Sequence, residues 1–197
     1  FFKQKTAYEI RLSLVGSEMC IRDSKMSEEI ERVIAKSEIY DLSCKYMRGL
    51  DRLDIELLKS VFHEGAWCDY GFTKSDAPTF AQFCMDALKE HHANHHMIGN
   101  VLIEFGDNEN EAFGEVYFQA YHKVDEDGQT NDVFISGRYL DRYEKREGVW
   151  KMVYRSEIVD WSRTEPTHEP YFDSAPDCFR GCLLYTSDAA DEGLGVD

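Results

Sequence analysis

The chain has 197 residues and a formal charge of −16 at pH 7, with 38 Asp and Glu against 22 Lys and Arg. So acidic a surface disfavours nucleic acid and anionic membranes as partners, and it suits a soluble enzyme of a small, neutral or hydrophobic molecule. No apolar run in the sequence is long enough to span a bilayer.

Residues 1–25 and 182–197 resemble translated adapter sequence, and Met26 follows the first flank as a start residue. A targeting peptide is the alternative for the first flank, but it lacks the continuous apolar stretch of a signal peptide, and Glu9, Glu18 and Asp23 suit neither a secretory nor a mitochondrial leader. Setting both aside leaves 26–181 as one domain with room for a sizeable core. The flanks carry +2 and −4, so the remainder carries −14. Its cysteines, Cys44, Cys68, Cys84 and Cys178, form no CxxC pair. A zinc ribbon is therefore disfavoured, and free thiols in a reducing compartment, the cytoplasm, are expected.

In chain order, a helix is predicted over 27–49, capped by Ser27, with Glu28 and Glu29 in its first turn. Its apolar stripe runs through Ile30, Val33 and Ile34 to Ile39, Leu42, Tyr46 and Leu50. Gly49 weakens the helix near Asp51. A short helix follows over 54–62 with Asp54 as its cap, then a strand over 67–72 and a third helix over 77–90 opened by Pro78. Four segments rich in β-branched and aromatic residues, 96–105, 112–124, 132–145 and 149–161, come next. Turn signals at 106–108, 125–128 and 147–148 separate them. Three helices before a long antiparallel meander make the fold class α+β. Beyond Asp160, with Pro166, Pro170 and Pro176 ahead, no regular structure is expected; the segment either caps a cavity, crosses to a neighbouring subunit or lies on the surface.

In 149–161, strict alternation puts Trp150, Met152, Tyr154 and Ile158 on one face and Val149, Val153, Arg155, Val159 and Trp161 on the other. Both faces are apolar enough to need a cover. Helices or a pocket would cover one, and a second subunit, as a homodimer or homotrimer, the other.

Several polar residues look out of place. Asp51 ends the first helix, where it reads either as a cap or surface ion pair with Arg48 or Arg52, or as a site carboxylate. Tyr46 suits core packing as well as a site. The run HHANHH places His91/His95 and His92/His96 at helical i, i+4 spacing, yet offers no third metal ligand, and no metal site is assigned. His96 opens a strand, on one face with Ile98, Asn100 and Leu102 by alternation, as a cavity-lining residue would. Arg155 interrupts an apolar face, so it has either a structural ion-pair partner or a site role.

Together these residues resemble the SnoaL-like domains of the nuclear transport factor 2-like superfamily. The resemblance rests on the helix order, the Tyr-x-x-x-x-Asp end of the first helix, the His-x-x-x-Asn strand opening and Tyr-Glu-Lys-Arg-Glu-Gly-Val-Trp-Lys before the last strand. It implies a cone-shaped curved antiparallel sheet with three N-terminal helices closing a cavity. Within the superfamily the pattern is most similar to bile acid 7α-dehydratase and lindane dehydrochlorinase. It implies that Asp51 and His96 form a catalytic dyad, as in both. Tyr46 then matches the tyrosine of the first, and Arg155 the arginine of the second; the first enzyme's further aspartate and arginine fall near Ala120 and Val159.

The chemistry so implied is lyase or isomerase chemistry, dehydratase-like and without a cofactor, on a small hydrophobic cyclic substrate. His96 is the general base, oriented by Asp51. Tyr46 donates to a carbonyl or leaving hydroxyl, and Arg155 stabilises developing negative charge. Trp67, Phe83, Asn100, Tyr117 and Tyr121 are the expected substrate-binding residues. Two rivals are a non-catalytic ligand-binding or interaction domain of the same fold and a small subunit supporting a ring-hydroxylating dioxygenase. A hydrogen-bonded His96–Asp51 pair within a cavity separates the enzyme from both.

Overall fold

The computed structural model describes residues 7–175, with side chains described from Met26 onward apart from Phe172 and Asp173. Cys178, Pro176 and the flank 182–197 lie outside the described residues. The chain divides into a first unit ending at Glu38 and a second from Ile39. The described part of the first unit is helical, belonging to helix α1, Ala7–Asp51. Because α1 begins at Ala7, Ser27 is interior to it rather than its cap, and its hydroxyl reaches Glu31 instead. The expected apolar stripe divides as well: Ile30, Val33 and Ile34 are exposed, whereas Ile39, Leu42, Tyr46 and Leu50 are buried.

Helix α2, Ile55–Ser60, is capped by Asp54, whose carboxylate accepts from the Leu57 N–H at 2.9 Å. Gly49 allows α1 and α2 to approach closely, since a Cβ there would sit 3.1 Å from Leu58 backbone atoms. Strand β1 spans Phe62–Asp69, and a short β2, Lys74–Asp76, pairs with it. Helix α3, Ala77–Leu88, starts with Pro78 in its first turn and Asp76 accepting from the Thr79 N–H at 3.0 Å.

Four long strands follow: β3, Ala93–Phe105; β4, Glu111–Glu126; β5, Gln129–Arg146; and β6, Val149–Pro166. A short helix α4, Pro170–Ser174, comes after them. Asp127-Gly128 and Glu147-Gly148 have positive φ at both residues, which matches the twist of the hairpins they close. The sheet order is β2-β1-β6-β5-β4-β3, all antiparallel except β1 beside β6, which is parallel. The α+β expectation holds. The expectation of no regular structure beyond Asp160 does not: β6 continues to Pro166, which pairs with Asn131 at the end of the β5 ladder.

Three register shifts decide the faces of the long strands. On β3, Ile98 pairs Phe118 and Val101 pairs Val116, so β3 has one residue more than β4 across the shift. On β6, Met152 pairs Tyr143 while Tyr154 pairs Arg142; further along, Val159 pairs Gly137 while Trp161 pairs Ser136. Each extra residue is a β-bulge, which reverses the parity of every later side chain. Gly137 sits at the last of these, where a Cβ would collide with the Ile158 carbonyl. Strict alternation along 149–161 therefore fails twice. The inward set is Trp150, Met152, Arg155 and Glu157; Val159 shares their parity but is half exposed, and Trp161 turns outward.

The inner face of the sheet carries Val116, Phe118, Ala120, Tyr139 and Tyr143, all buried. The outer face keeps Phe113, Tyr117, Leu140 and Trp161 exposed. Among the described residues, no helix is long and apolar enough to cross a membrane.

Candidate functional site

A cavity of about 170 Å³ opens against the inner face of the sheet. An apolar void of about 150 Å³ accepts benzene, so the space suits one six-membered ring. Its walls are largely aromatic: Phe118 from β4, Tyr139 from β5, Tyr70 beyond β1, and Phe80 and Phe83 from α3. Phe83 and Phe72 are exposed and lie 6.2 Å apart between ring centres, at the cavity's open side.

His96 reaches the cavity from β3, and its orientation is fixed by Asp51 at the end of α1. The His96 Nδ1–H donates to Asp51 Oδ1 at 2.7 Å, and the His96 backbone N–H donates to both carboxylate oxygens at 2.9 and 3.1 Å. The carboxylate can only accept, so Nδ1 carries a proton, and in the neutral ring Nε2 is the nitrogen left with a lone pair. The imidazole is 6 % exposed and the carboxylate 14 %. Asp51 is thus neither a helix cap nor an ion pair with Arg48 or Arg52. It borders a second cleft, about 310 Å³, shared with Arg48, Arg52 and Cys44, and His96 borders both spaces.

Beside His96, and missed by the sequence reading, stands His122. The two rings meet edge to face at 5.0 Å, and His122 lines the cavity. Its Nδ1 lies 2.8 Å from Asn94 Oδ1, which also takes the His91 Nδ1 at 2.7 Å, while the Asn94 amide donates to the Leu88 carbonyl at 3.0 Å. An amide oxygen accepts only, so both imidazoles donate from Nδ1 and His122 offers Nε2 as an acceptor. Burial, with His96 and His91 nearby, pushes the His122 pKa down to about 3, so the ring is neutral in the physiological range. The HHANHH run is turn and strand, so the helical i, i+4 pairing does not arise; His92 instead meets Asp125 at 2.8 Å and His95 is exposed.

Tyr46, from α1, lines the cavity with its hydroxyl 2.6 Å from that of Tyr70. Burial raises both phenols well above their ordinary range, which keeps them protonated. In such a pair one hydroxyl donates to the other, and the acceptor's own proton is left for a third group.

Arg155 is fully buried and does not line the cavity. Its guanidinium donates to Asp141 at 2.8 and 2.7 Å and lies 4.1 Å from the Tyr46 ring centre and 4.2 Å from that of Tyr139. The Tyr143 hydroxyl completes the cluster with a 2.6 Å bond to Asp141. Of the two readings of Arg155, the ion pair is the one observed, and a guanidinium so placed acts on the cavity through its field and the tyrosine rings stacked on it, not by touching a ligand.

Of the expected substrate-binding residues, only Phe83 lines the cavity. Trp67 is exposed while its neighbours Ala66 and Cys68 are buried, so it points away from the core. Tyr117 and Tyr121 share the parity of Glu115, Gln119 and Lys123 on β4, opposite to Val116, Phe118, Ala120 and His122. Tyr121 bonds Asp132 at 2.9 Å, and Arg138 lies 5.9 Å from the Tyr117 ring centre. Those charged neighbours were a legible sign that this parity is the outer one. Asn100 falls within the β3 bulge and Leu102 beyond it, and both are exposed. Tyr70, His122, Tyr139 and Glu157 line the cavity in place of these four.

Residues 31–156 match the SnoaL-like domain family. The chain belongs to that family. Its fold is shared with several solved structures. A hexachlorocyclohexane dehydrochlorinase from Novosphingobium barchaimii is 21 % identical with a TM-score of 0.63, over 70 % of this chain and 94 % of its own. A protein assigned as a scytalone dehydratase from Novosphingobium aromaticivorans is 19 % identical with a TM-score of 0.60, over 70 % and 91 %. Another from the same organism, assigned as an aromatic ring hydroxylase, is 20 % identical with a TM-score of 0.60, over 73 % and 97 %. At these identities the likeness is one of fold. No curated protein matches the chain.

Proposed function

We propose that this SnoaL-like domain is a cofactor-independent lyase or isomerase for a small hydrophobic cyclic molecule, with His96 and Asp51 as its general-base dyad. The observation that carries this reading is the 2.7 Å His96–Asp51 hydrogen bond beside a largely aromatic cavity. His96 Nε2 removes a proton from a carbon next to a carbonyl or comparable group, and Asp51 stabilises the imidazolium that forms. The Tyr46–Tyr70 pair donates to the oxygen on which negative charge develops, with Arg155 held behind the Tyr46 ring as a positioning residue. His122, neutral, accepts a hydrogen bond from a ligand hydroxyl. Loss of water or another small leaving group, or return of the proton to another carbon, completes the reaction.

The names of the dehydrochlorinase and the dehydratase of similar fold support elimination as the reaction class. The exposed apolar outer face of the sheet supports a homodimer or homotrimer, the acidic charge supports a soluble protein, and the free thiols of Cys44, Cys68 and Cys84 support a reducing compartment such as the cytoplasm.

The test needs no knowledge of the natural substrate. Ring ketones are incubated with the protein in heavy water, and deuterium uptake at the α-carbon is followed by NMR. Wild type should accelerate exchange for a ketone that binds, and His96→Ala should not. A ketone that binds wild type yet exchanges no faster than with the alanine variant sinks the base assignment.

A further inference from the structure

One carboxyl in the cavity has no part in the dyad. Glu157 lies between the two bulges of β6, pairs with Tyr139 on β5, and points inward with Arg155 on the same side of the strand. It lines the cavity, yet it takes part in no hydrogen bond or ion pair within the described residues, where Asp141 occupies Arg155 instead. A carboxyl among Tyr139, Tyr70, Phe80 and Cys84, with no partner, is costly as an anion and idle as an acid unless something enters to accept its proton. Strands β5 and β4 separate β6 from β3, so Glu157 and His96 reach the cavity from different parts of the sheet.

We infer that Glu157 is a ligand-contacting residue whose carboxylic acid donates a hydrogen bond to an oxygen of the bound ring. This rests on the cavity being a ligand site, as proposed above. It narrows the ligand class: the ring carries an oxygen acceptor, and a purely hydrocarbon or halocarbon ring leaves the acid unsatisfied. Burial pushes the Glu157 pKa up to about 7 against a partial opposing pull from Arg155, so the donor form is present at and below neutrality. Arg155, Tyr70, Tyr139 and Cys84 couple to it, and burial raises the last three; Tyr46, His96 and His122 line the same cavity from α1, β3 and β4, so a variant at position 157 is what separates its titration from theirs.

The experiment compares cyclohexanone with its hydrocarbon isostere methylenecyclohexane, which has the same shape and no acceptor. Binding to the full chain is measured by NMR titration at about pH 5.5 and about pH 8.5. Cyclohexanone should bind about tenfold more tightly at the lower pH, the worth of one buried hydrogen bond, while the isostere shows no pH dependence. Glu157→Gln keeps a neutral donor, so it should retain cyclohexanone affinity and lose the pH dependence. Glu157→Leu should lower the preference for the ketone about tenfold at the lower pH and leave only what the Tyr46–Tyr70 pair contributes. If both probes bind with the same pH profile, or the glutamine variant keeps the pH dependence, the assignment of Glu157 is overturned while the cavity stands. If neither probe binds under any condition, the cavity reading fails and takes this inference with it.

Discussion

Arg155 and Asp141 lie opposite each other in the β5–β6 register and bond through two contacts of 2.8 and 2.7 Å, with neither side chain exposed to solvent. A buried pair of this kind costs much of its attraction in desolvation, but removing one partner strands a charge. Asp141→Ala is expected to destabilise the domain by about 3–5 kcal/mol in urea denaturation. The double variant Asp141→Leu/Arg155→Met, which removes both charges, should recover a large part of that loss. A double variant no more stable than the single one would show that the pair is not the source of the effect.

The dyad makes a kinetic prediction. In the deuterium-exchange measurement, Asp51→Asn and His96→Ala should each lower the rate by about 10²–10⁴-fold, the usual worth of a positioned base. Asp51→Asn keeps most of the side-chain volume, so its far-UV circular dichroism should match wild type. Full exchange activity in both variants would remove His96 and Asp51 from the mechanism.

Glu157 should leave a mark on stability against pH. Its ordinary value is 4.5 and burial lifts it to about 7. Between those values the folded state keeps a proton that the unfolded chain releases, so the stabilisation present below about pH 4.5 is lost as pH rises to about 7. Glu157→Gln, neutral throughout, should exceed wild type by about 1–3 kcal/mol near pH 8.5 and equal it near pH 4.5. A stability difference that does not vary with pH would contradict this.

His122 predicts the opposite slope in acid. Its ordinary value of 6.5 is pushed down to about 3, chiefly by burial. As pH falls through that interval the unfolded chain takes up a proton that the folded state refuses, and stability falls. His122→Gln should flatten this acid slope, as seen in thermal melts at successive pH values from about 6.5 to about 4. An unchanged slope would assign the acid sensitivity to another group.

Gly137 tests the last bulge. A Cβ there meets the Ile158 carbonyl well inside contact distance, so Gly137→Ala should cost about 1–3 kcal/mol or more as β5 and β6 part. An alanine variant as stable as wild type would mean that the strands adapt at no cost.

Much of this protein is legible in its residues. The caps at Asp54 and Asp76, Pro78 in the first turn of α3, and the Asp-Gly and Glu-Gly turns are local signals, and local signals set where elements start and stop. The hydrogen-bonded meeting of Asp51 and His96 was an expectation of the resemblance, and the structure joins them although His96 lies three residues inside β3 rather than at its start. The walls of the cavity were not legible. Tyr117 and Tyr121 drew attention as large aromatics, while the charged residues sharing their parity marked that face as outer. Asn100 and Trp161 were assigned by strict alternation, which a bulge reverses.

By itself, then, the sequence determined the kinds of element and most of their ends, since propensity, capping and periodicity act over a few neighbouring positions. Only the tertiary structure decided that Arg155 is tied to Asp141, and that His122, Tyr70 and Glu157 share the cavity with Tyr46 and His96. Those outcomes depend on register between strands far apart in the chain. One inserted residue at a bulge exchanges inside for outside without any change in local composition.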